Sequence, residues 1–305
     1  MATNGVDASS LPTSPPKEEG PRKLKILMLH GYTQSGPLFR SKTRALEKLL
    51  QKSFPTSKTS PYPGGVALLY PTAPIHLQPA DIPNFSGTSE TTDEAKEELD
   101  AWGWWTRSSS PSSAAPSSAD ADVRYDGLSD GLAVIKDTIL AAGGVDGVIG
   151  FSQGGCAALF VASLLEPSRS ASFSAHKPDG VDYPEGWAEL FKLQESVTGG
   201  ALKFAVSYSG FYAPGRRHIP FYEPKIGTPS LHFIGSLDSV VDETLSTGLV
   251  DRCVEGKSKV VYHPGGHFVP VGKEMGAVLV GFVRDCCVHK EEKKEESVED
   301  MDVPF

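Results

Sequence analysis

One rhythm runs from residue 23 to residue 289: a short, unbroken apolar run, then a longer stretch with helical spacing. The apolar runs are 25–29 (KILML), 66–70 (VALLY), 145–151 (VDGVIGF), 204–209 (FAVSYS), 230–235 (SLHFIG) and 259–263 (KVVYH). Helical patterns fall at 41–51, 126–142, 154–165, 242–250 and 273–288. A strand with one face in water alternates apolar and polar residues; these runs do not, so both their faces must be covered. Strands of this kind, spaced by helices, predict an α/β architecture with a mostly parallel central sheet and helices on both faces. In such sheets ligands gather at the carboxyl ends of the strands.

Three segments break the rhythm. Residues 1–22 and 290–305 have too little apolar surface to order, and 107–122 contains the low-complexity run SSSPSSAAPSSADAD. The expected organisation is one domain over 23–289, interrupted by a disordered loop at about 107–122 and flanked by a disordered N-terminal extension and a disordered acidic tail.

Charge excludes several partners. The net charge is −9. It is concentrated in 88–101, where six acidic residues face one lysine, and in 290–305, where seven face three. The rest of the chain is neutral, so there is no electrostatic footprint for nucleic acid or for an anionic membrane. The longest apolar run, 156–165, is half the length a membrane span needs. The Ser/Pro/Glu-rich start lacks the apolar stretch of a secretory signal. Four cysteines without a C-x-x-C pair suggest neither a disulfide framework nor a zinc or redox site, and point to a reducing compartment, cytoplasm or nucleus.

The chemistry-bearing motif is Gly150-Phe151-Ser152-Gln153-Gly154, the single G-x-S-x-G of the chain. Chance supplies about 0.3 such matches in a sequence of this composition, so context decides. A strand precedes it and a helix follows it. Ser152 therefore falls on a tight strand-to-helix turn, whose neighbours must be small to avoid collision, and is the candidate nucleophile. The candidate base is His267, in the loop His263-Pro264-Gly265-Gly266-His267-Phe268 after the last strand. His263, at the strand end, is expected to pack there. A zinc pair of the two histidines would need a helix that Pro264-Gly265-Gly266 forbids. The candidate orienting acid is Asp238, in the loop after the strand 230–235 with two residues between them; Asp242 is the competitor but occupies a helix N-cap position. Backbone N–H groups of Tyr32, after the first strand, and of Gln153 are the candidate oxyanion donors.

The segments LHGYTQSG, YPTAPIHL, WGWW, GFSQGG, VSYSGF, PSLHFIGSLDSVV and HPGGHFVP, in this order and spacing, resemble the FSH-type serine hydrolases. That group includes the ovarian-cancer-associated serine hydrolase and fungal polyketide-releasing thioesterases. The resemblance spans 23–289 and implies an α/β-hydrolase fold. It also implies Ser152 as nucleophile, Asp238 as acid, His267 as base, Tyr32 and Gln153 as oxyanion donors, and ester or thioester hydrolysis without a cofactor or metal. Two segments, 107–122 and 168–185, look longer than the group's usual connections and are expected to border the pocket.

Trp102, Trp104 and Trp105 carry large apolar surfaces into a long excursion between strands. They read as the wall of an acyl pocket, completed by Phe211, Tyr212 and Phe268; the alternative is a small core that anchors the excursion. The expected function is hydrolysis of an ester or thioester with a medium or long apolar acyl chain. The alternatives are a non-catalytic binding or scaffold protein on the same fold, or a polyketide-releasing thioesterase acting on a carrier-bound chain.

Overall fold

A computed structural model describes residues 20–82, 99–109, 123–177 and 180–288. Most of the acidic run 88–101, most of the Ser/Ala/Pro run 107–122, residues 1–19 of the expected N-terminal extension and the whole of 290–305 lie outside these residues; Arg22, expected in the extension, is instead bonded to Asp146 Oδ1 at 2.7 Å. In chain order the strands are β1 (Leu24–Leu29), β2 (Val66–Leu69), β3 (Ile75–His76), β4 (Trp102–Gly103), β5 (Thr106–Ser109), β6 (Val123–Asp126), β7 (Gly147–Phe151), β8 (Phe204–Tyr208), β9 (Ser230–Gly235) and β10 (Ser258–His263). The helices are α1 (Gly36–Lys42), α2 (Arg44–Ser53), α3 (Leu128–Ala141), α4 (Gln153–Leu164), α5 (Arg169–Ala175), α6 (Trp187–Thr198), α7 (Glu243–Val250) and α8 (Lys273–Cys287).

Six strands form one sheet in the order β10-β9-β8-β7-β1-β2, and every pairing in it is parallel. These are the six runs read from the sequence. The chain lays β2 on one side of β1, then crosses back to place β7 on the other, with Leu29 opposite Gly150. This reversal opens a crevice at the carboxyl ends of β1 and β7. Successive residues of β1 face opposite sides: Leu27 and Leu29 join the core under α3, α4 and α6, while Ile26 and Met28 join the one under α1, α2 and α8.

Helix α4 is buried on every side. Its sequence, QGGCAALFVASL, is apolar or small around the full turn, as a helix between a sheet and further helices must be. Cys156 is part of this packing, and burial pushes its thiol up.

Several elements differ from the sequence reading. The helix expected over 41–51 is two helices that meet at Thr43, whose hydroxyl donates to Phe39 O at 2.8 Å. The excursion between β2 and β7 holds two short hairpins, β3–β4 and β5–β6. The described part of the segment 168–185 lies against the stretch that follows β8, where the Val181 N–H donates to Arg217 O at 3.1 Å. It carries α5, and Tyr183 donates to Leu164 O at the far end of α4, about 18 Å from Ser152 at 1.5 Å per residue.

Candidate active site

Ser152 sits between β7 and α4 with φ 54° and ψ −117°, a left-handed conformation unfavourable for a residue with a side chain. Its N–H donates to Tyr208 O at 2.8 Å, extending the β7–β8 ladder by one residue and fixing the turn against the sheet. The two flanking glycines are needed for a specific reason. A Cβ on Gly150 would collide with Gly154 O, and one on Gly154 with Leu29 O, because the first turn of α4 folds back over β7 and β1. Gly31 is also close, though less so: a Cβ there would lie 2.9 Å from Phe151 Cδ1 and 3.3 Å from Ser152 Cβ, which puts the end of β1 beside the serine.

His267 lies in the loop after β10, with its ring 4.9 Å from that of Phe151. Its Nδ1 is 2.8 Å from Asp238 Oδ2 and its Nε2 is 2.9 Å from Ser152 Oγ. Asp238 Oδ1 accepts the N–H groups of Val240 (2.9 Å) and Val241 (3.0 Å). Burial raises the Asp238 carboxyl, but the N–H of Val241, the His267 ring and the N–H of Val240 together outweigh it and hold the group below the usual carboxylate range. An ionised Asp238 can only accept, so His267 Nδ1 carries the ring proton and Nε2 is left to accept from the Ser152 hydroxyl. Asp242 is elsewhere: it caps α7, its Oδ1 accepting the Thr244 N–H at 2.8 Å and the Thr244 hydroxyl at 2.6 Å.

Of the two residues expected to supply backbone N–H groups, Gln153 directly follows Ser152, and Tyr32 follows Gly31, which lies beside it. Gln153 is the first residue of α4, where a helix leaves its N–H without an internal acceptor. Beyond Tyr32, the N–H groups of Thr33 and Gln34 donate to Trp102 O (3.0 Å) and Gly31 O (3.2 Å). His263 ends β10, buried, its ring edge-on to Phe268 at 5.2 Å.

The aromatic residues divide. Trp104 and Trp105 are 0% and 2% exposed and belong to the core around α4. Trp105 stacks on Tyr125 at 4.8 Å. Both take the anchoring role rather than that of an open pocket wall. Partly exposed Trp102 rests on His76 at 4.7 Å and donates its indole N–H to Asp100 Oδ1 at 2.9 Å. Phe211 is partly buried against the same core, and Tyr212 lies under the Arg252 guanidinium at 3.7 Å, facing α7. Phe268 is exposed, as are Leu237 and Val240. In sequence Leu237 and Val240 lie on either side of Asp238, and Phe268 follows His267. The sequence reading missed the Gln153 side chain, which accepts the Trp104 N–H and donates to Trp105 O, both at 2.8 Å.

Residues 19–277 match the serine hydrolase (FSH1) family. Zebrafish (Danio rerio) esterase OVCA2 is 31% identical over 265 residues, covering 86% of this chain and 96% of that protein. The Saccharomyces cerevisiae protein named family of serine hydrolases 3 is 29% identical over 269 residues, covering 86% of this chain and 84% of its own. Among solved structures, acyl-protein thioesterase 2 of Zea mays superposes with a TM-score of 0.51 at 20% identity, over 90% of this chain and 97% of that one. That likeness speaks to the fold, the parallel sheet flanked by helices already described. With a family match over most of its length and a relative of this similarity, the chain belongs to the serine hydrolase (FSH1) family.

Proposed function

We propose that this protein hydrolyses carboxylic esters or thioesters bearing a medium or long apolar acyl chain, through an acyl-enzyme on Ser152. The observation that carries the reading is the continuous hydrogen-bonded line from Ser152 Oγ through His267 to Asp238, at 2.9 and 2.8 Å. Ser152 Oγ attacks the carbonyl carbon as its proton passes to His267 Nε2. The N–H groups of Tyr32 and Gln153 stabilise the oxyanion that forms, and Asp238 stabilises the imidazolium. The C–O or C–S bond then breaks, and His267 returns the proton to the leaving alcohol or thiol. Water attacks the acyl-enzyme by the same route, releasing the acid and restoring the serine. The chain's own groups complete every step.

Exposed Leu237, Val240 and Phe268 beside the acid and base support an apolar acyl group. Among the described residues no helix is long and apolar enough to cross a membrane. The sparse cysteines favour cytoplasm or nucleus as the compartment. The test is labelling with a fluorophosphonate, followed by a panel of esters and thioesters of graded acyl length. One phosphonyl adduct on Ser152, lost in Ser152→Ala, is expected. Labelling at another residue, or kcat/KM indifferent to chain length, would overturn the mechanism or the acyl preference respectively.

A further inference from the structure

Trp104 sits 74 residues from His30 and 49 from Gln153 in the chain, yet it bonds to both. Its indole Nε1–H donates to His30 O at 2.9 Å, and its backbone N–H donates to Gln153 Oε1 at 2.8 Å. The Gln153 amide closes the loop by donating to Trp105 O at 2.8 Å. The geometry points to Trp104 as a positioning residue that holds both arms of the oxyanion hole, the Tyr32 arm through His30 and the Gln153 arm through its side chain. This rests on the hydrolase reading above and adds to it the device that aligns its two donors.

On the first arm, the direction of the Tyr32 N–H is set by the peptide it shares with Gly31 O, because in a trans peptide the two point opposite ways. Gly31 O is tied down by the Gln34 N–H at 3.2 Å and by His30 Nδ1 at 2.8 Å. His30 Nε2 accepts the Ala73 N–H at 3.0 Å, so the ring's proton is on Nδ1 and donates to Gly31 O. The ring is completely buried against Trp104, with centroids 4.9 Å apart. Trp104 thus touches the main chain and the ring of the residue that orients this peptide.

On the second arm, the two bonds from the Gln153 amide to the 104–105 backbone pin the first residue of α4, whose own N–H is the donor. Helix α3 presses from behind: a Cβ on Gly131 would collide with Trp104 O. A shift of Trp104 would therefore reach both donors together. Misplacement of reacting groups by about 1 Å costs up to about a hundredfold in rate.

The experiment uses the full chain with Trp104→Phe, which keeps an aromatic ring and removes the indole donor. Gln153→Met, which removes the amide bonds and keeps the backbone N–H, and the double variant complete the set. Active sites are titrated with a fluorophosphonate, and each variant's melting temperature is measured. Then kcat, KM and the Ki of a trifluoromethyl ketone, whose adduct carries an oxyanion, are determined. Each single variant is expected to lose about 10- to 100-fold in kcat per titrated serine, with KM within about threefold. Ketone binding should weaken by the same factor, and the double variant should lose little more than the worse single one. A kcat within threefold of the parent in both single variants refutes the clamp, as does a kcat loss without weaker ketone binding. Multiplicative losses refute the coupling of the arms. If Trp104→Phe does not fold, Gln153→Met alone decides by the same readouts. A parent protein that is not labelled at Ser152 refutes the hydrolase reading and the clamp with it, whereas a labelled parent with unaffected variants refutes the clamp alone.

Discussion

Asp238→Asn and Asp242→Asn change the same atoms four residues apart, and the structure assigns them opposite consequences. In Asp238→Asn the carbonyl oxygen can still accept the N–H groups of Val240 and Val241, so the loop keeps its shape. The new amide nitrogen faces His267 Nδ1, where Asp238 Oδ2 now lies at 2.8 Å. A donor there selects the ring tautomer with its proton on Nε2, which points a donor at the Ser152 hydroxyl instead of an acceptor. The penalty for the wrong tautomer is up to about 10⁴ in kcat, or about 5.5 kcal/mol of transition-state stabilisation. Asp242→Asn keeps an equally good N-cap for α7 and touches neither Ser152 nor His267, so kcat/KM should stay within about twofold. The assay is hydrolysis of a neutral p-nitrophenyl ester at neutral pH, normalised to folded protein by circular dichroism. A loss below about tenfold for Asp238→Asn with an intact fold, or the reverse ranking of the two variants, would refute the assignment of the orienting acid.

Ser152→Ala should abolish fluorophosphonate labelling and lower esterase turnover by about 10⁴-fold or more; retention of most of the activity would show that another group is acylated. Gly154→Ala forces a methyl group into Leu29 O and should displace the first turn of α4, costing about 1–3 kcal/mol of stability in urea titrations as well as activity. A variant as stable as the parent would show that the turn has slack. Burial lowers the buried His30 and His232 from 6.5 to about 4. Between those values the unfolded chain binds protons that the folded one does not, so stability should fall as pH drops from 7 to 5, by about 2 kcal/mol per ring. His232→Gln should remove its own share, about 2 kcal/mol, of a fall to which His218 and His263, also lowered by burial, contribute, and a urea midpoint independent of pH over this range would refute the burial of neutral rings.

What could be read in advance follows from the length scale of each signal. The four inner strands β1, β7, β8 and β9 were legible because burial on both faces leaves them mostly apolar; β2 and β10, at the sheet's edges, are only partly buried and were legible from their apolar runs alone. The placement of Ser152, Asp238 and His267 after β7, β9 and β10 followed from their order. The hairpins β3–β4 and β5–β6 were not legible, since two to four residues cannot display a period. Helix α6 carries a buried polar residue, Gln194, which accepts the Val145 N–H and breaks the apolar stripe that would have marked it. Thr43 looks like any helical residue until its hydroxyl is seen bonding back to Phe39 O. The tryptophans were ambiguous for a different reason. Pocket walls and loop anchors draw on the same aromatic residues, and only the partners of the Trp104 indole and backbone N–H groups separate the two.

Because α4 has no free face, Ser152 is mounted on the most enclosed helix among the described residues, whereas the proposed base and acid, His267 and Asp238, ride on loops at the rim of the sheet. Loops of this kind open with less free energy than a core helix, so warming will dismantle the site in order, the relay first and the nucleophile's seat last. Catalysis should therefore fade, and return on cooling, at temperatures where the chain as a whole is still native. The enzyme's working range is then set by the grip of residues 236–242 and 264–272. Effort to harden it belongs on those two loops, since a tighter interior would protect a part that is not the first to fail.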